Sequence, residues 1–154
     1  MSKKVAVIAI GGNSLIKDKQ HQSVQSQYLA ADETARHIVE MIKEGWDVVI
    51  GHGNGPQVGF LLQKAEIAEK VANLAMAPLE VCGAQSQGQI GYQLIQCLQN
   101  EMVKVGISKP AAAVIEQTVV SKDDPAFQNP TKPIGGFMTE AEAKAKQAEL
   151  GWTV

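Results

Sequence analysis

The chain has 154 residues, 45% of them hydrophobic and 19% charged, with a formal net charge of -2. This balance suits one soluble globular domain and excludes a disordered, collagenous or coiled-coil chain. No apolar run approaches the roughly 20 residues of a membrane span, and the near-neutral charge argues against a nucleic-acid binder. Of the 14 basic residues only Arg36 is an arginine, so anion handling falls to lysines and backbone amides instead of guanidinium forks.

Residues 5–10 (VAVIAI) are a short β-branched run, read as a strand covered on both faces. Lys3 and Lys4 faintly imitate a secretion signal, but the run is short and passes into Gly11-Gly12-Asn13 without a cleavage site, so a cytoplasmic location is expected. In residues 25–44 Tyr28, Ala31, Ala35, Ile38, Val39 and Ile42 recur at helical spacing, and Gly45 stands where a left-handed cap belongs. Residues 47–50 (DVVI) repeat the strand pattern and end in Gly51-His52-Gly53-Asn54-Gly55-Pro56, after which a second helix runs from about Gln57 toward Glu69.

Beyond Pro78, residues 81–105 read as one long helix. Its second half carries a core-facing stripe of Gly91, Leu94, Ile95, Leu98 and Met102. Its first half (CGAQSQGQIG) is so rich in small residues that close packing by another helix, from a second subunit in a homodimer, is expected. Cys82 and Cys97 fall on this helix about 22 Å apart, too far for a disulfide, and suit a reducing compartment. Residues 111–120 (AAAVIEQTVV) read as a third strand, and residues 121–138, with three of the six prolines, as an irregular excursion or small hairpin. Thr139 and Glu142 form a capping box that opens a further helix, and Trp152 to Val154 look like the start of another element. The order of strands and helices predicts an α/β fold with a mainly parallel sheet and helices on both faces.

Two glycine loops, Gly11-Gly12-Asn13 and Gly53-Asn54-Gly55, each follow a strand and precede a helix. At the carboxyl edge of a parallel sheet such loops offer backbone N–H groups and a helix N-terminus to an anion, and each holds an Asn able to donate a side-chain amide. Neither loop fits the Walker A or G-x-G-x-x-G fingerprint. His52 reads as a packing or backbone-bonding residue, and His21 and His37 have no metal-ligand spacing, so no metal site is expected. Lys132, flanked by Pro130 and Pro133, is the lysine in the least ordinary setting.

Gly11-Gly12-Asn13, residues 52–59 (HGNGPQVG) and residues 126–135 (AFQNPTKPIG) resemble the carbamate kinases of the amino-acid kinase superfamily. The resemblance implies a three-layer α/β sandwich, and the last motif belongs to a protruding subdomain. It implies reversible phosphoryl transfer between ATP and carbamate to give ADP and carbamoyl phosphate, with Mg²⁺, usually run toward ATP in arginine fermentation. Gly11, Gly12, Asn13, Gly53, Asn54 and Gly55 would hold carbamate and the transferred phosphoryl group, with Asn13 and Lys132 as catalytic residues. Residues 1–120 would form the carbamate-side domain and residues 121–154 the start of the protruding subdomain, the nucleotide-binding half lying outside this chain. Two alternatives stand beside this reading: a carbamoyl-phosphate-synthesising relative of the same fold, and a non-catalytic fragment that binds an anion or dimerises.

Overall fold

The computed structural model describes residues 4–18, 20–134 and 138–151; the expectations for Gly135 and for Trp152 to Val154 lie outside the described residues. Strand β1 (Lys4–Ile10) leads through the single turn α1 (Gly12–Leu15) into α2 (Val24–Lys43), and β2 (Trp46–His52) into α3 (Gly55–Ala72). The long α4 (Leu79–Lys104) follows, then a 3₁₀ turn (Pro125–Phe127) and α5 (Glu140–Leu150). The short α1 has no counterpart in the sequence reading, because four residues are too few to show a period.

β1 and β2 pair in parallel, Lys4 opposite Trp46 through Ile10 opposite His52. The Lys4 ammonium lies over the Trp46 ring, 5.4 Å from its centroid, a cation–π contact that accompanies this register. Alternation along a strand divides its side chains between two faces. Ile8, Ile10, Val48 and Ile50 point into a core with Ala31, Ala35, Ile38 and Val39 of α2 and Ile90, Leu94, Leu98 and Met102 of α4. The other face is open: Val5, Val7 and Val49 are 58%, 78% and 55% exposed. The sequence reading of β1 as covered on both faces is therefore corrected, since among the described residues the helices cover one face only.

Ser23 caps α2 by accepting the Ser26 N–H, and Gly45, at φ +88°, ends it in the backbone region that glycine enters without strain. Arg36, the single arginine, is spent on architecture. It pairs with Asp32 on its own helix and approaches Glu101 of α4 at 3.9 Å.

Residues 111–120 are not a strand, which corrects the expected third strand. A strand needs a ladder partner, and a cleft of about 690 Å³ opens between β2, α4 and residues 109–116. Residues 109–116 are held by other means. Lys109 pairs with Asp47 at the start of β2, and a Cβ placed on Gly91 would stand 2.9 Å from the Ala113 Cβ. The Gln87 side chain grips the Glu116 backbone at both ends, accepting its N–H at 2.7 Å and donating to its carbonyl at 3.2 Å. Gly91 is thus explained by a close approach within this chain, not by a second subunit. From residue 117 to 134 the chain is exposed and, outside the 3₁₀ turn, irregular, as expected from Ser121 onward, and α5 opens on the Thr139–Glu142 capping box.

Cys82 and Cys97 are buried and free on α4, as expected from their spacing. Burial pushes the Cys97 thiol up, and the carboxylates of Asp32 and Glu101 add to the shift. A thiol whose folded pKa lies above its unfolded value stabilises the fold fully below the unfolded value, and that contribution fades as the pH rises past it. Alkylation of Cys97 by iodoacetamide at mildly alkaline pH is accordingly expected only through unfolded molecules. Mass spectrometry across a urea series checks this: labelling should follow the unfolding curve, and rapid labelling without urea would contradict it.

Candidate functional site

The parallel register decides where the two glycine loops meet. Ile10 lies opposite His52, so both strands end at one level, and the Gly53 N–H donates to the Ile10 carbonyl at 2.8 Å. The loops then touch. A Cβ on Gly12 would meet the Gly55 nitrogen and the Pro56 Cδ at 3.1 Å and the Asn54 nitrogen at 3.3 Å, while one on Gly53 would meet the Gly12 nitrogen at 3.1 Å. At each of these two glycines a side chain would therefore run into backbone nitrogens of the other loop. Gln57, 2% exposed, donates from Nε2 to the Gly12 carbonyl at 3.5 Å across the junction.

Two helices start at this junction, and neither is capped by its own side chain. Gly11 has none to offer. Asn54, normally a good N-cap, turns away from α3: its Nδ2 donates to Ser86 Oγ of α4 at 2.7 Å, and Ser86 donates in turn to the Gly83 carbonyl at 2.6 Å. The first-turn amides of α3 are left without a side-chain cap, at the end of an 18-residue helix whose dipole favours negative charge there. The arrangement can bind a small anion by backbone amides, as an oxyanion or phosphate cradle does.

Of the residues singled out in the sequence, Gly11, Gly12, Gly53, Asn54 and Gly55 meet at this junction. Asn13 sits exposed on α1. Lys132 is exposed in the irregular segment after the 3₁₀ turn, and no hydrogen bond or ion pair joins it to the glycine loops among the described residues. His52, whose Nδ1 lies 3.3 Å from the Gly53 carbonyl, behaves as the expected backbone-bonding residue. Sequence reading missed Ser86 and Gln57. Gln57 stands inside the quoted loop motif, whereas Ser86 was hidden in the small-residue half of α4, where only the Asn54 contact distinguishes it.

Among the described residues no three His, Cys, Asp or Glu side chains gather as a metal site, and no helix is long and apolar enough to cross a membrane.

The sequence profile of the amino acid kinase family matches residues 4–142. A carbamate kinase of Thermococcus kodakarensis is 46% identical over 152 residues, covering 98% of this chain and 48% of that protein. The carbamate kinase-like protein YqeA of Escherichia coli is 48% identical over 155 residues, covering 100% and 48%. Among solved structures, the carbamate kinase of Giardia lamblia bound to citric acid superposes with a TM-score of 0.85 at 38% identity, covering 96% of this chain and 47% of that one. The same enzyme bound to AMP-PNP gives 0.81 at 37%, covering 99% and 48%. The chain spans about half the length of the curated relatives it matches. With an α/β fold on a parallel sheet, two abutting glycine loops at its carboxyl edge and a profile match across most of its length, the chain belongs to the amino acid kinase family.

Proposed function

We propose that this chain is the carbamate-side half of a carbamate kinase, which transfers a phosphoryl group reversibly between ATP and carbamate to give ADP and carbamoyl phosphate. The observation that carries the reading is the pair of uncapped helix starts at two touching glycine loops. Backbone amides fixed before the reaction can stabilise charge developing on transferred oxygens without reorganising, and phosphoryl transfer is chiefly positioning and electrostatics. The names of the relatives, and the AMP-PNP bound by the Giardia enzyme, support the choice of substrates.

In this reading Gly11, Gly12, Gly53, Asn54 and Gly55 hold carbamate and the phosphoryl group. Asn13 and Lys132 approach from α1 and from the subdomain begun by residues 121–154. Mg²⁺ would come with the nucleotide phosphates, whose charge it would neutralise. ATP and ADP bind to a second half that this chain does not supply. The protein works in the cytoplasm, in arginine breakdown, as a homodimer. Val81, Gly88 and Tyr92 form an exposed strip on α4 suited to a second copy, and light scattering of Gly88→Leu against the unsubstituted protein tests that assembly.

Coupled ATP formation from ADP and carbamoyl phosphate, run on the chain alone and on a longer form carrying it, tests the reaction. The longer form should be active. The chain alone should be inactive and should not bind AMP-PNP in isothermal titration, while still taking inorganic phosphate at the loops. Micromolar AMP-PNP binding by the chain alone would overturn the proposed division between halves.

A further inference from the structure

The contact between Asn54 and Ser86 fixes which atom of the Asn54 amide is held by α4. A hydroxyl has one proton, and that of Ser86 is committed to the Gly83 carbonyl at 2.6 Å. Toward Asn54 the Ser86 oxygen can therefore only accept, so the atom 2.7 Å away must be the amide nitrogen. Ser86 is fully buried, so no water competes for either bond. At the opposite end of the planar amide, Oδ1 takes no hydrogen bond among the described residues, and Asn54 is half-buried at the mouth of the glycine junction. Nδ2 keeps its second N–H, so the side chain offers whatever binds there the acceptor Oδ1 beside one remaining donor.

We infer that Ser86 is a positioning residue that turns the Asn54 carbonyl oxygen toward the substrate, so that the site selects an acyl group bearing N–H. The inference rests on the carbamate reading proposed above. Carbamate and carbamoyl phosphate carry an amino group that can donate to such an oxygen. Acetyl phosphate has nearly the same shape but a methyl in that place, which would leave the acceptor unmet and dehydrated. A site that hydrogen-bonds a substrate N–H discriminates strongly against the analogue lacking it. Without Ser86 the amide is free to rotate, and its N–H and C=O ends become interchangeable toward the ligand.

The test compares carbamoyl phosphate with acetyl phosphate on the longest natural form carrying this sequence, by equilibrium binding and by side-chain amide NMR. Ser86→Ala is expected to shrink the preference for carbamoyl phosphate by about tenfold, as befits one lost hydrogen bond, while inorganic phosphate binds unchanged. Ser86→Cys leaves no void, its sulfur being larger than the oxygen, but weakens the acceptor, and should behave like Ser86→Ala, which separates positioning from the loss of packing. In both variants the Asn54 amide proton signals should lose the shift and slow exchange of a bonded group. An unchanged preference in Ser86→Ala, or Asn54 amide signals that stay as they were, overturns the inference. Equal binding of the two phosphates by the unsubstituted protein, with those signals still dependent on Ser86, would instead overturn the carbamate reading and leave Ser86 as the residue that orients Asn54.

Discussion

Replacing Asn54 by alanine in an active longer form is expected to lower turnover by about 10² to 10³, the usual cost of removing one preorganised polar group from a site that stabilises developing charge. The fold should lose far less. The one described hydrogen bond that goes is Nδ2 to Ser86 Oγ, worth about 1 kcal/mol net, and Ser86 keeps the Gly83 carbonyl as its acceptor. The Asn54 carbonyl, which accepts the Val58 N–H in the first turn of α3, belongs to the backbone and survives. Steady-state kinetics beside thermal melting separates the two effects. Unchanged turnover with an unchanged melting point would remove Asn54 from the site.

The second large effect is expected at Gly12. Valine there would drive its Cβ against the Gly55 and Asn54 nitrogens and the Pro56 ring, all within 3.3 Å of that position. None of these neighbours is the far end of a flexible side chain, so the loops themselves must part. Overpacking of this kind costs about 1 to 3 kcal/mol of stability. The larger consequence lies in the amides, whose spacing is the binding geometry: a shift near 1 Å in a positioning group costs about 10² in rate. Gly12→Val should therefore abolish phosphate binding at the loops, measured by titration, in protein whose circular dichroism still reports a folded chain. Retained binding would show that the convergence of the two loops is not what holds the anion.

Those two residues also show what the sequence discloses and what it conceals. A glycine after a β-branched run announces a tight strand-to-helix turn, and Gly45 after an amphipathic helix announces its left-handed end, because both are local backbone requirements. The Thr139–Glu142 capping box is equally local and is found as read. That the two glycine loops touch follows from strand register, and register is legible only through the assumption of a parallel sheet, which holds. The orientation of Asn54 depends on Ser86, 32 residues away on another helix, and no periodicity carries that information. Residues 111–120 fail for a related reason. Their β-branched composition gives the propensity for a strand, but propensity does not supply a neighbour, and the Gln87 amide takes the place of a ladder at Glu116.

The open sheet face and the unladdered segment together bear on how this chain behaves at high concentration. Val5, Val7 and Val49 lie bare beside one another, and Val114 and Val119 are 84% and 99% exposed in a stretch whose backbone groups lack strand partners. Bare β-branched side chains beside unpaired backbone are a template for sheet growth between molecules. Copies of this chain are therefore expected to associate through this surface as concentration rises, which light scattering over a concentration series checks.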